Sequence, residues 1–101
     1  LQIQDSSGDW FHAPPIEGTL VVNVADLLSR WTNGLYKSTP HRVVNQSGKE
    51  RLSIVLAFDP NPETYINPAD IFSENEKSLS DPITCGDYLI WRFGKAFSYR
   101  K

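Results

Sequence analysis

Methionine is missing altogether from the 101 residues, cysteine occurs once and histidine twice. Without a methionine, the chain is expected to be a processed product or a piece of a longer one. The single cysteine, Cys85, excludes an internal disulfide framework and any multi-cysteine metal cluster. Charge of one sign is not in excess: ten Lys and Arg against twelve Asp and Glu leave a net charge of -2. Such a balance offers no footprint for a phosphate backbone, so no nucleic-acid partner is expected. Long apolar runs are lacking too. The longest, Ile54 to Phe58, has five residues, where a membrane helix needs about 20. Leu1 to Gly8 carries neither a basic region nor an apolar one of the secretory kind, so no membrane partner and a cytoplasmic location are expected.

What remains has the composition of a folded domain. Hydrophobic residues make up 40% and charged residues 22% of the chain, inside the ordinary globular range. A chain this short holds one domain with one modest core.

Alternation of apolar and polar residues dominates the first sixty positions, which predicts a mainly β fold. Leu1 to Gln4 alternates strictly and runs into Asp5-Ser6-Ser7-Gly8, a turn cluster from which Asp9 to Ala13 returns as a second strand. Thr19 to Ala25 is apolar on both faces, as an inner strand would be. Asp26 is the expected N-cap of a short helix near 26–32, with Leu27, Leu28 and Trp31 as its apolar stripe and Asn33-Gly34 as its stop. Strands are expected over His41 to Asn45 and Arg51 to Phe58, joined by the polar loop 46–50. Residues 59–82 hold four prolines and read as a long surface excursion. A C-terminal helix near 85–98 follows. Thr84 caps it with Asp87 three residues on, Leu89, Ile90, Phe93 and Phe97 form its stripe, and Arg92, Lys95, Arg100 and Lys101 gather late.

Two features carry chemistry. Arg51 and Ser53 lie two positions apart on an alternating strand, hence on one face and roughly 6.5 to 7 Å apart. A guanidinium fork and a hydroxyl so placed can share one carboxylate, although a bare Arg-x-Ser is most often a solvated edge-strand pair. His41 begins the preceding strand, and imidazole is the commonest protein ligand of first-row transition metals.

The context of these residues is Trp31-Thr32-Asn33-Gly34-Leu35-Tyr36-Lys37-Ser38-Thr39-Pro40-His41-Arg42-Val43-Val44-Asn45, then Arg51-Leu52-Ser53. This run closely resembles the C-terminal half of the plant-type, isopenicillin-N-synthase-like oxygenases that depend on Fe(II) and 2-oxoglutarate. The resemblance extends through Gly8-Asp9-Trp10, Pro14-Pro15-Ile16, Phe58-Asp59-Pro60-Asn61-Pro62 and Ile83-Thr84-Cys85-Gly86-Asp87. It implies half of a double-stranded β-helix, or jelly roll, with His41 as an iron ligand and Arg51 and Ser53 on the distal carboxylate of 2-oxoglutarate. It further implies molecular oxygen as cosubstrate, ascorbate as an optional reductant and a small organic molecule as substrate.

One departure stands out. The family's first histidine and its carboxylate form an H-x-D motif, yet His12 is followed by Ala13-Pro14 and His41 by Arg42-Val43. Residues 1–101 are therefore expected to be the C-terminal part of a single oxygenase domain, with the upstream H-x-D portion as their partner and no activity alone. Two other readings stay open: a family oxidase that does not use 2-oxoglutarate, and a non-catalytic jelly-roll binding module. The remaining candidates read blandly. His12 is expected to be a strand residue away from the site, Cys85 a packed small residue, Asn45-Gln46-Ser47 a chance sequon, and Trp31 and Trp91 core residues.

Overall fold

The computed structural model describes residues 1–72 and 77–97. The chain begins as a hairpin, β1 (Gln2–Gln4) and β2 (Trp10–His12), paired antiparallel with Gln2 opposite His12 and Gln4 opposite Trp10. Its turn is closed by Asp5, whose Oδ1 accepts the backbone N–H groups of Ser7 and Asp9, both at 2.9 Å, and the Ser7 hydroxyl at 2.7 Å. These bonds, the Ser7 hydroxyl first, hold the Asp5 carboxyl below its usual pKa. Gly8 supplies the left-handed step at φ 93°. The hairpin expected from the turn cluster is thus present, and the side chain that makes it is its first acid.

A third strand, β3 (His41–Arg42), joins the other edge of β1, so the sheet order is β2-β1-β3. Directly opposed residues share a face. Arg42 opposes Gln2, donates to its Oε1 at 2.8 Å and lies 4.1 Å over the Trp10 ring on that same face. His41 opposes Ile3, which also faces Phe11. His12, opposite Gln2, is therefore on the reverse side of the sheet from His41.

The core lies away from this sheet. It consists of Leu27, Ile66, Cys85 and Tyr88, with Trp31, Ile83 and Leu89 packed against it. Leu27 comes from α1 (Asp26–Trp31), whose N-cap is Ala25 without a side-chain bond; Asp26, expected as the cap, is the first helical residue and pairs with Arg92 instead. The helix stops as expected. Asn33 and Gly34 turn left-handed at φ 52° and 82°, and the Gly34 N–H reaches back to the Ser29 carbonyl at 2.8 Å.

Ile66 belongs to β4 (Tyr65–Ile66), which pairs with β5 (Ile83–Thr84). The 59–82 stretch is therefore no simple surface excursion, because its strand carries a fully buried isoleucine and Pro68, in a single 3-10 turn over Pro68–Asp70, is buried as well. Helix α2 (Cys85–Ala96) follows β5 directly. Thr84 accepts the Asp87 N–H at 3.2 Å and donates its hydroxyl to the Asp87 carboxylate at 2.8 Å. The capping pair forms through two side chains rather than by a carboxylate reaching a backbone N–H. Thr84→Ala should lower stability by about 1 kcal/mol, read as a lower denaturant midpoint with the slope unchanged.

Several expectations fail here, for one reason each. The buried stripe of α2 is Cys85, Tyr88 and Leu89, whereas Ile90 and Phe93 face outward. Trp91 is 48% exposed, with the Lys95 ammonium 4.1 Å over its ring, so it is no core residue. Trp31 does pack on the core. Helix α2 ends at Ala96 with Phe97 as its C-cap, two residues before the end expected near 98, and Arg100 and Lys101 lie outside the described residues. Residues 19–25 and 51–58 are not strands, and β3 stops at Arg42 rather than Asn45. A strand needs a hydrogen-bonded neighbour, and neither segment has one among the described residues. Their apolar side chains stand open: Leu20 is 91%, Leu52 96% and Ile54 98% exposed. Strands nonetheless outnumber helices, in two small antiparallel sheets.

Candidate functional site

His41 is placed by the sheet. The Gln4 N–H donates to the Pro40 carbonyl at 2.9 Å, which continues the β1–β3 ladder and fixes the strand just where the histidine leaves it. Its Nδ1 lies 3.2 Å from the Thr39 carbonyl and 3.3 Å from the Asn23 side-chain amide. The Thr39 carbonyl can only accept and so calls for a proton on Nδ1, whereas the Asn23 Nδ2 amide donates and calls for a lone pair there, so the two contacts ask for opposite tautomers of the ring. With the proton on Nδ1, facing Thr39, Nε2 keeps the lone pair. That is the tautomer and the outer hydrogen bond a metal-ligating imidazole needs.

The ring borders an open cavity of about 560 Å³ whose wall includes Asn23, Asp26, Asp59, Tyr88, Leu89 and Arg92. Helix α2 provides the last three, with Tyr88 and Arg92 one turn apart on one face. The Asp26–Arg92 ion pair ties α1 to α2 across that wall. Burial, and then the negative charge of Asp26, push the Tyr88 phenol above its usual pKa, so its O–H stays a donor at neutral pH. Cys85 lies just behind. Burial and the Asp59 charge push its thiol up, and its Sγ lies 3.6 Å from the Pro60 carbonyl, which makes it the inert packed residue expected.

Arg51 and Ser53 meet each other: Nη1 donates to Ser53 Oγ at 2.7 Å. The guanidinium has no carboxylate within ion-pair distance among the described residues. Four of its five N–H donors make no bond there, and the serine hydroxyl keeps its own proton to donate. The sequence pattern predicts a pair on one strand face open to a shared carboxylate; here residues 51–58 form no strand and the two side chains bond each other. The two residues do not line the His41 cavity. Sequence reasoning left out Asn23, Asp59, Tyr88 and Arg92. Asn23 had a readable signal, the one amide within an apolar run; the helix pair had only its i, i+4 spacing.

Among the described residues no group of three His, Cys, Asp or Glu could hold a metal ion. His41 therefore fits iron as one donor, and the other donors would have to come from elsewhere. His12 is exposed, on the reverse face, and His41 has no second histidine beside it. Asn45 of the sequon spends its side chain on the turn, donating to the Lys49 carbonyl at 2.8 Å and accepting from Ser47.

Residues 1–60 match the model of the 2OG-Fe(II) oxygenase superfamily. A protein named "Probable iron/ascorbate oxidoreductase" of Dictyostelium discoideum is 40% identical over 96% of this chain and 30% of its own length. A homoarginine-6-hydroxylase of Glycine max is 46% identical over 69% of this chain and 21% of its own. Among solved structures, a full-length Neurospora crassa protein in complex with alpha-KG superposes with a TM-score of 0.73 at 31% identity, covering 92% of this chain and 30% of that one. The chain belongs to the 2OG-Fe(II) oxygenase superfamily. It spans between a fifth and a third of the length of these relatives.

Proposed function

We propose that residues 1–101 are the C-terminal part of a single oxygenase domain, built as half of a double-stranded β-helix, that oxidises a small organic molecule at the expense of 2-oxoglutarate. The reaction is 2-oxoglutarate, oxygen and a C–H substrate giving succinate, carbon dioxide and the hydroxylated product. Within it His41 holds Fe(II) through Nε2, kept in orientation by Thr39 and Asn23. Arg51 and Ser53 grip the far carboxylate of 2-oxoglutarate with the fork and the hydroxyl. Iron, when bound, supplies the oxygen chemistry that no protein side chain can perform. The rest of the domain supplies the missing ligands and also neighbours for residues 19–25 and 51–58, whose open apolar side chains it would cover. A cytoplasmic location belongs to the same proposal.

The observation that carries the reading is the Arg51–Ser53 bond. It is a cationic fork with no carboxylate of its own among the described residues, inside the segment that matches the family. The test compares the complete protein with the isolated 101 residues, both given Fe(II), 2-oxoglutarate and ascorbate. The complete protein is expected to form succinate, and the isolated chain to form none and to hold iron weakly. Substrate oxidation without succinate would favour an oxidase, and full-rate turnover by the isolated chain would refute the shared site.

A further inference from the structure

The His41 cavity has three charged side chains on its wall, Asp26, Asp59 and Arg92. Two of them cancel, because Asp26 is spent on the Arg92 guanidinium. Asp59 has no hydrogen bond and no ion pair among the described residues, so the wall carries one uncompensated negative charge. Its position is held by the segment that follows: Pro60 contacts Cys85 through its carbonyl, and the Gly86 N–H bonds the Pro62 carbonyl at 2.9 Å. A Cβ on Gly86 would lie 3.3 Å from both Pro62 Cβ and its carbonyl oxygen, so that approach is as close as a glycine permits. Asp59 thus precedes a braced segment and lines the same open cavity as His41.

We propose that the substrate taken at this cavity carries a cationic group, an ammonium or guanidinium, and that Asp59 is the residue that selects it. This rests on the oxygenase reading above and adds the substrate class. A carboxylate can accept a guanidinium through two parallel bonds, and the cavity already holds one carboxylate–guanidinium contact, a single Nη2 donation from Arg92 to Asp26. Asp59 is exposed, and a neutral or anionic molecule seated against it would strip water from the carboxylate without replacing it, which is how an unpaired charge rejects the wrong ligand.

Ligand-observed NMR on the complete protein tests this with three small probes: butylguanidinium, its neutral isostere butylurea, and the anion valerate. Wild type should bind butylguanidinium at least tenfold more tightly than butylurea and should not bind valerate. Asp59→Asn, which keeps shape and removes charge, should bring the two within twofold, and Asp59→Glu should restore part of the preference. The helical circular dichroism of each variant confirms that it folds. No preference in wild type, or an unchanged preference in Asp59→Asn, overturns the proposal. An Asp59→Asn protein that loses thermal stability without losing the preference also overturns it, because Asp59 would then be paired within the protein. A guanidinium preference that depends on Asp59, in a protein that makes no succinate, would uphold the cation site and refute the oxygenase reading alone.

Discussion

His41→Ala in the complete protein should reduce iron-dependent succinate formation by a thousandfold or more, whereas His12→Ala should leave it within about twofold of wild type. Loss of an outer hydrogen-bond partner of a ligand costs 10- to 100-fold, and loss of the ligand itself must exceed that. The two histidines make a fair comparison because both are exposed and both are on the same three-stranded sheet. They differ in face. His41 is paired through Ile3 to the side that carries Phe11, and His12 through Gln2 to the side that carries Arg42 and Trp10. Among the described residues His41 has its Nδ1 within hydrogen-bond distance of the Thr39 carbonyl and the Asn23 amide, which orient the ring, and His12 has no such partner. Iron binding, measured without 2-oxoglutarate, should fall in His41→Ala in step with turnover. Equal losses in the two variants would remove the distinction between ligand and bystander.

The Asp5 turn and the Thr84 cap depend on side chains within a few residues of the backbone groups they satisfy, and the Asn33-Gly34 stop on a left-handed backbone step between adjacent residues. Local chemistry of that kind is written in the sequence. The same holds for Arg51 and Ser53, which a period of two brings together whether or not a ladder forms around them. Burial is different. Ile66 is the centre of the core, yet nothing near it in sequence marks it, since its partners are Ile83 across a sheet and Cys85 and Tyr88 on a helix about twenty residues on. Conversely, Leu52 and Ile54 have the pattern of a paired strand and stand open, because pattern states a need for a partner and not its presence. The cavity wall was hidden for the reason that hid Ile66: Asn23, Asp59 and Arg92 are far apart in the chain and meet only in the fold.

Arg51→Ala is expected to raise the apparent KM for 2-oxoglutarate by a hundredfold or more in the complete protein, with iron affinity nearly unchanged. Removing one member of a desolvated, hydrogen-bonded charge pair costs roughly 3 to 5 kcal/mol, and each 1.4 kcal/mol is about tenfold. Arg51→Lys keeps the charge but loses the planar fork, so it should be impaired less than the alanine variant and still clearly. Ser53→Ala should cost on the order of 1 to 3 kcal/mol, because it removes one hydroxyl that the Nη1 contact holds ready beside the fork. The order Ala worse than Lys at position 51 is informative in itself. A guanidinium that only steadied the strand would be replaced about equally badly by either residue, and the loss would show in thermal stability rather than in KM. The measurement is a 2-oxoglutarate titration of the three variants beside iron binding in the absence of cosubstrate. Neither residue lines the His41 cavity, so a variant that weakened iron and left the 2-oxoglutarate KM alone would place the carboxylate grip elsewhere in the domain.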